Sequence, residues 1–183
     1  MLLENNIKVF FHIYDYPKSK DIVDEMLSYF DNELKQKIEF SHNIDELDTL
    51  NQLHNFSKAN ADYKILYIHT KGAVNRNENV DSWRKYMCRY LINNYKECLL
   101  SLYDHDVCGV DFRKEPQSHF SGNFWWANCQ YLNKLEEPEK TYSSLTPRHR
   151  SEFWIGTKSP KVCSMMDCGV GVYERHLYNY DNF

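Results

Sequence analysis

Lys64-Ile-Leu-Tyr-Ile68 runs directly into His69-Thr70-Lys71-Gly72. A short apolar run of branched and aromatic residues reads as a buried strand, and the polar tetrapeptide marks its end. Upstream, Ile7-Lys-Val-Phe-Phe-His-Ile-Tyr14 has the same character, and Pro17 follows soon after. Between these two strands, Asp21 to about Lys37 places Ile22, Val23, Met26, Leu27, Phe30 and Leu34 at helical spacing. Lys37 to Ser41 is expected to form a short strand, and Asp45 to Ala61 a second helix with a thinner stripe of Leu47, Leu50, Leu53 and Phe56.

Downstream of Gly72 an Asn-rich loop leads to residues 81–102. There Trp83, Met87, Tyr90, Leu91, Tyr95, Cys98, Leu99 and Leu102 give the clearest helical periodicity in the chain, with Asp81 as N-cap. Val107-Cys-Gly-Val-Asp-Phe112 reads as another strand. His119-Phe-Ser-Gly-Asn-Phe-Trp-Trp126 begins extended and passes into a helix ending near Leu135; residues 136–147 form a polar loop, and Arg148 to Ile155 and a Tyr-rich tail follow. Strands alternating with helices predict an α/β architecture on a mostly parallel sheet. Ligands of such sheets bind beyond the C-terminal ends of the strands, where the His69 motif and Asp111 fall.

The 183 residues are expected to form a single domain over 1–183, or one module of a longer polypeptide. With 42% apolar and 26% charged residues, disordered and fibrous classes are excluded. A formal net charge of -4 argues against a nucleic-acid partner, which calls for a basic face. No apolar stretch is long enough for a membrane span. Six cysteines without a CxxC pair argue for free thiols rather than zinc, and so for a cytoplasmic protein.

Five groups of residues are candidates for chemistry. His69, Thr70, Lys71 and Gly72 offer an imidazole, a hydroxyl, a point charge and a flexible backbone, a set suited to a diphosphate; the plainer reading is a solvated turn. Trp83 belongs to the apolar stripe and reads as core, whereas Arg84 lies one step off it and reads as a ligand contact. His119-Phe-Ser121-Gly122-Asn123-Phe-Trp125-Trp126 mixes amide and hydroxyl groups with aromatic planes, as a sugar or uracil pocket would, or else forms a core strand with a glycine bulge. Glu152, between Arg150 and Phe153-Trp154-Ile155, reads as a general base or a surface ion pair. Asp104-His-Asp106 has a form that binds Mg²⁺ or Mn²⁺, but it precedes its strand and reads better as a turn; Asp111 is better placed.

Taken in order, Tyr67-Ile-His-Thr-Lys-Gly72, Trp83-Arg84 with Met87, Gly109-Val-Asp111, His119-Phe-Ser-Gly-Asn-Phe-Trp-Trp-Ala127 and Ser151-Glu-Phe-Trp-Ile155 resemble glycosyltransferases of bacterial surface-polysaccharide loci and of large DNA viruses that glycosylate their own capsids. The resemblance spans about residue 7 to 178. It implies a GT-A-like, Rossmann-like three-layer α/β/α fold with a mostly parallel mixed sheet, a UDP-sugar donor and a saccharide acceptor. The reaction would take place in the cytoplasm, that of the host if the protein is viral. By this resemblance Phe11, His12 and Tyr14 cradle the base. Lys71, with His69, Thr70, Gly72 and Arg84, holds the diphosphate. His119, Ser121, Gly122 and Asn123 contact donor sugar or acceptor, against Trp125, Trp126 and Trp154. Glu152 acts as base or oxocarbenium stabiliser, with Asp111 as a second catalytic candidate. Because His69-Thr-Lys71 stands where such enzymes carry a metal-binding Asp-x-Asp, two devices remain open: Lys71 as a metal substitute, or Mn²⁺ or Mg²⁺ on Asp104, Asp106 or Asp111. Two other classes remain alongside it. One is a non-catalytic saccharide- or nucleotide-binding module, and the other a metal-dependent phosphoryl-transfer enzyme using Asp104 and Asp106.

Overall fold

Alternate residues of β1 (Ile7–Tyr14) face two different cores, and that alternation organises the molecule. The computed structural model describes residues 6–169. Its central sheet joins β1 to β2 (Ile38–Asn43), β3 (Lys64–His69), β4 (Val107–Val110), β7 (Trp125–Asn128) and β8 (Val162–Met166), in the order β2-β1-β3-β7-β4-β8. All but β7 run in one direction; β7 pairs antiparallel with β3 and β4. A separate antiparallel pair, β5 (Phe112–Arg113) and β6 (His119–Phe120), stands beside the sheet. The expected mixed, mostly parallel α/β sheet is therefore present.

One face carries Val9, Phe11, Leu66, Ile68 and Trp126. It is covered by α1 (Ser19–Leu27), α2 (Asn32–Lys35), α4 (Glu78–Cys88) and α5 (Tyr95–Ser101). The other carries Phe10, Ile65, Tyr67 and Trp125, and packs against α3 (Glu46–Ala59), α6 (Cys129–Leu132) and α7 (Pro147–Trp154). The two adjacent tryptophans are both fully buried because successive strand residues point to opposite faces.

Several boundaries differ from the sequence expectation, each for a local reason. The first helix stops at Leu27 and restarts at Asn32, because the Asp31 side chain accepts from the Leu34 amide and caps a new turn. The long helix begins at Glu78, capped by Asn77 rather than Asp81, and passes through a π-helical segment, Arg89–Asn93, before α5. β4 ends at Val110, since Asp111 takes a left-handed φ of 52° that no strand continues. The His119–Trp126 stretch splits into β6, a turn and the antiparallel β7. β8 was not anticipated at all, and the Tyr-rich tail lies outside the described residues.

The readings of Trp83 and Arg84 are interchanged. Trp83 is half-buried, while Arg84 is fully buried and ion-paired with Glu25 at 3.0 Å and Asp81 at 2.8 Å. Its guanidinium also donates to the Lys71 carbonyl at 2.8 Å, so it ties the loop after β3 to α1 and α4. A planar fork with several donors is what such a three-way tie requires. Arg84→Ala should cost about 3 kcal/mol in urea denaturation, because it strands two carboxylates and a carbonyl. Removing the neighbouring exposed pair through Arg76→Ala should change stability by less than about 1 kcal/mol.

Candidate functional site

A cavity of about 460 Å³ opens at the C-terminal ends of β1 and β3. Its walls come from six places in the chain. Tyr14 ends β1, Asp45 and Glu46 open α3, His69 ends β3 with Thr70 to Asn75 after it, Val80 lies on α4, Gly122 and Asn123 precede β7, and Arg148 and Glu152 lie on α7. Because β7 runs antiparallel, its beginning meets the ends of β1 and β3 at the same edge. Arg148 and Glu152 are four residues apart and share one helix face.

The floor is built around Glu46, which the sequence reading missed. This buried carboxylate accepts hydrogen bonds from the Tyr14 hydroxyl, the Tyr67 hydroxyl at 2.8 Å and the Asn123 amide at 2.8 Å. Burial alone would raise its pKa, but His69 and the two phenols outweigh it and hold the carboxyl down at about 2. Its place at the first turn of α3 also sets the charge at the positive end of the helix. In return, burial beside this carboxylate pushes both tyrosine hydroxyls upward.

Two histidines flank the carboxylate. His12 and His69 are register partners in β1 and β3, on the face covered by α3. His12 Nδ1 lies 2.8 Å from the Thr49 hydroxyl, and burial lowers its pKa to about 4 despite Glu46. His69 Nε2 lies 3.0 Å from the Gly122 carbonyl, and burial lowers its pKa as well. Thr70 stitches the strand ends together, donating its amide to the His12 carbonyl and accepting from the Tyr14 amide.

Asn123 reaches Glu46 from a left-handed backbone, φ 58°, and its amide oxygen accepts from the Trp125 indole at 3.0 Å. Gly122 is also left-handed, φ 93°, and a Cβ there would stand 2.6 Å from Met87 Sδ. Only glycine meets both demands, and strained backbone of this kind tends to collect at functional sites. At the rim, Lys71 Nζ sits 3.8 Å from the centre of the Trp83 ring.

Of the residues singled out in the sequence, the structure brings Tyr14, His69, Thr70, Lys71, Gly72, Gly122, Asn123 and Glu152 to this cavity. Others lie elsewhere. Phe11 is core, and His12 sits behind Glu46 rather than on the cavity wall. Arg84 positions the loop from behind. His119 packs against Phe153 with Nδ1 on the Gln117 carbonyl, and the buried Ser121 belongs to the turn itself, its amide donating to the Asp111 carbonyl. Trp125, Trp126 and Trp154 are all core, their indoles bonded to Asn123, the Leu91 carbonyl and the Glu136 carbonyl. Their role at the cavity is therefore indirect, through Trp125 and Asn123.

The metal candidates separate likewise. Asp104 and Asp106 precede β4, at the opposite end of the sheet, where Asp106 caps the Lys161 amide at 2.8 Å. Asp111 lies beyond β4 with Asp167 and Cys168, their potential ligand atoms within 4.8 Å of one another. Asp111 already accepts from the Cys168 amide, and the Arg113 guanidinium stands 3.8 Å from Asp111 and 3.2 Å from Asp167. A cation and a thiol beside two carboxylates suit a hard divalent ion poorly.

Residues 3–167 match the model of a family described as Domain of unknown function (DUF8361), and the chain belongs to that family. No curated protein and no solved structure matches it. No helix among the described residues is long and apolar enough to cross a membrane.

The buried groups set the acid response. His12 ionises in the unfolded chain near 6.5 but in the native state only near 4, so its contribution is intact above pH 6.5 and lost as pH falls towards 4. Glu46 adds a second loss between its ordinary value of 4.5 and about 2. The stability loss assigned to His12 is on the order of 3 kcal/mol. Urea midpoints should therefore fall steadily below pH 6.5, and His12→Gln should reduce the slope between pH 6.5 and 4.

Proposed function

We propose that this protein is a glycosyltransferase that moves a sugar from a nucleotide-diphosphate donor of the UDP class to a saccharide acceptor in the cytoplasm. The observation that carries the reading is the convergence of Lys71, Gly122-Asn123 and Glu152, from three distant motifs, on one cavity at the C-terminal edge of the sheet. The element order after β3 supports a GT-A-like fold: helix, strand, an extended segment with glycine, helix, and a late acidic residue. The cavity's size is ordinary for a small-molecule site.

In this reading the donor diphosphate lies at the rim, against Lys71 and Arg148. These cations neutralise the charge that develops as the bond from the anomeric carbon to the phosphate oxygen breaks. The acceptor hydroxyl oxygen forms the new bond to that carbon. In an inverting transfer its proton passes to Glu152, which is half-buried and forms no hydrogen bond or ion pair among the described residues. In a retaining transfer the same carboxylate stabilises an oxocarbenium-like centre. Lys71, two residues past the end of β3, supplies positive charge directly, and no step passes through a metal ion.

Calorimetric titration of UDP and a panel of UDP-sugars, each with EDTA and with Mn²⁺, tests the proposal. Binding is expected to survive EDTA and to weaken at least tenfold in Lys71→Ala. Glu152→Gln is expected to keep donor affinity and lose turnover by 10²-fold or more. Retained turnover in Glu152→Gln would remove that residue from the mechanism, and no binding of any UDP ligand would remove the donor class.

A further inference from the structure

The cavity floor is an acceptor surface. Glu46 is ionised, and both of its oxygens already receive protein donors. Asn123 turns its amide oxygen towards Trp125 and donates from its nitrogen to Glu46. His69 completes the set. A carbonyl can only accept, so the contact at 3.0 Å to the Gly122 carbonyl makes Nε2 the protonated nitrogen. Nδ1 must then carry a lone pair. That nitrogen is buried and has no hydrogen-bond partner, on a residue that is 6% exposed and lines the cavity.

A buried acceptor left unsatisfied is costly, and the Gly122 contact accounts for only one of the two ring nitrogens: it employs Nε2 and leaves Nδ1 without a partner. The cost is offset when a ligand supplies the donor. A neutral hydroxyl meets the requirement without bringing a further charge into the site, where burial already disfavours positive charge at His69 despite Glu46. Acceptors on the floor and cations on the rim also give the cavity a direction. A molecule with hydroxyls at one end and phosphates at the other fits it one way round.

We infer that His69 Nδ1 accepts a hydrogen bond from a ring hydroxyl of the donor sugar, making His69, positioned by Gly122 and flanked by Glu46, the residue that distinguishes the sugar nucleotide from the bare nucleotide. This rests on the nucleotide-sugar reading of the same cavity. His69 here is a binding residue held in one tautomer, and it transfers no proton. The Gly122 carbonyl is what fixes the tautomer, so the left-handed turn at Gly122 and Asn123 serves both histidine and carboxylate.

Two variants separate the roles of the two ring nitrogens. A glutamine amide can reach the position of Nε2 and keep the Gly122 contact, whereas an asparagine amide occupies the position of Nδ1. Affinities for UDP and for UDP-glucose, UDP-galactose and UDP-N-acetylglucosamine would be measured on wild type, His69→Gln and His69→Asn. The expected result is unchanged UDP affinity in His69→Gln with a loss of about tenfold for the preferred UDP-sugar, and a smaller loss in His69→Asn. Long-range ¹H–¹⁵N spectra of the wild type should show an unprotonated Nδ1 that shifts with the UDP-sugar and not with UDP. If UDP and UDP-sugars bind but neither affinity nor Nδ1 responds to the sugar, the assignment of His69 is overturned and the donor reading stands. If neither UDP nor any UDP-sugar binds, both fall together.

Discussion

A carboxylate buried at the edge of a sheet, with no lysine or arginine paired to it among the described residues, is the constraint from which the rest of this site follows. Removing an anion from water is expensive, and the fold meets that expense with oriented neutral donors and the first turn of α3. Each donor is fixed in turn. Tyr14 is placed by the end of β1 and Tyr67 by the centre of β3. Asn123 is held by the Trp125 indole and by a backbone conformation that asparagine tolerates better than most residues. The cavity is thus a by-product of satisfying Glu46 from β1, β3 and the turn before β7 at once.

The same arrangement separates charge across a short distance. Acceptors lie on the floor, while Lys71 and Arg148 stand at the rim, the former over the Trp83 ring. Arg84 contributes without entering the cavity. By bonding the Lys71 carbonyl from behind, it fixes the loop that presents the rim cation. Gly72 permits that contact: its left-handed backbone brings it close to Arg84, where a Cβ would stand 3.1 Å from the guanidinium.

The buried strands were legible because their signals are local. Eight consecutive residues of β1 and six of β3 announce themselves through branched and aromatic side chains. His69 to Gly72 could be placed at the cavity because a strand end in an α/β sheet has a known destination. Glu46 was illegible for the opposite reason. An acidic pair at the start of an amphipathic helix reads as an ordinary cap, and Asp45 is indeed one. What could have pointed to it is position: Asp45-Glu46 opens the helix after a strand whose end lies at the same edge of the sheet. Trp83 and Arg84 were interchanged because periodicity ranks residues by hydrophobicity, whereas the protein buried the guanidinium between Asp81, one helical turn before it, and Glu25, which is 59 residues away and which no spacing rule connects to it. β8 was missed because its residues are only partly buried at the edge of the sheet, so its apolar signal is weak.

The ligands of Glu46 come from positions 32, 21 and 77 residues away along the chain. Closing loops of that length before any of these bonds can form is entropically costly, so topologies of this kind assemble slowly and as a whole. No fragment containing only the first three strands holds Asn123, and none containing only the later elements holds the carboxylate. The set of contacts around Glu46 is therefore complete only when the whole sheet has formed. A ligand that recognises it recognises the completed sheet, and occupancy stabilises the native state of the whole chain rather than one lobe of it.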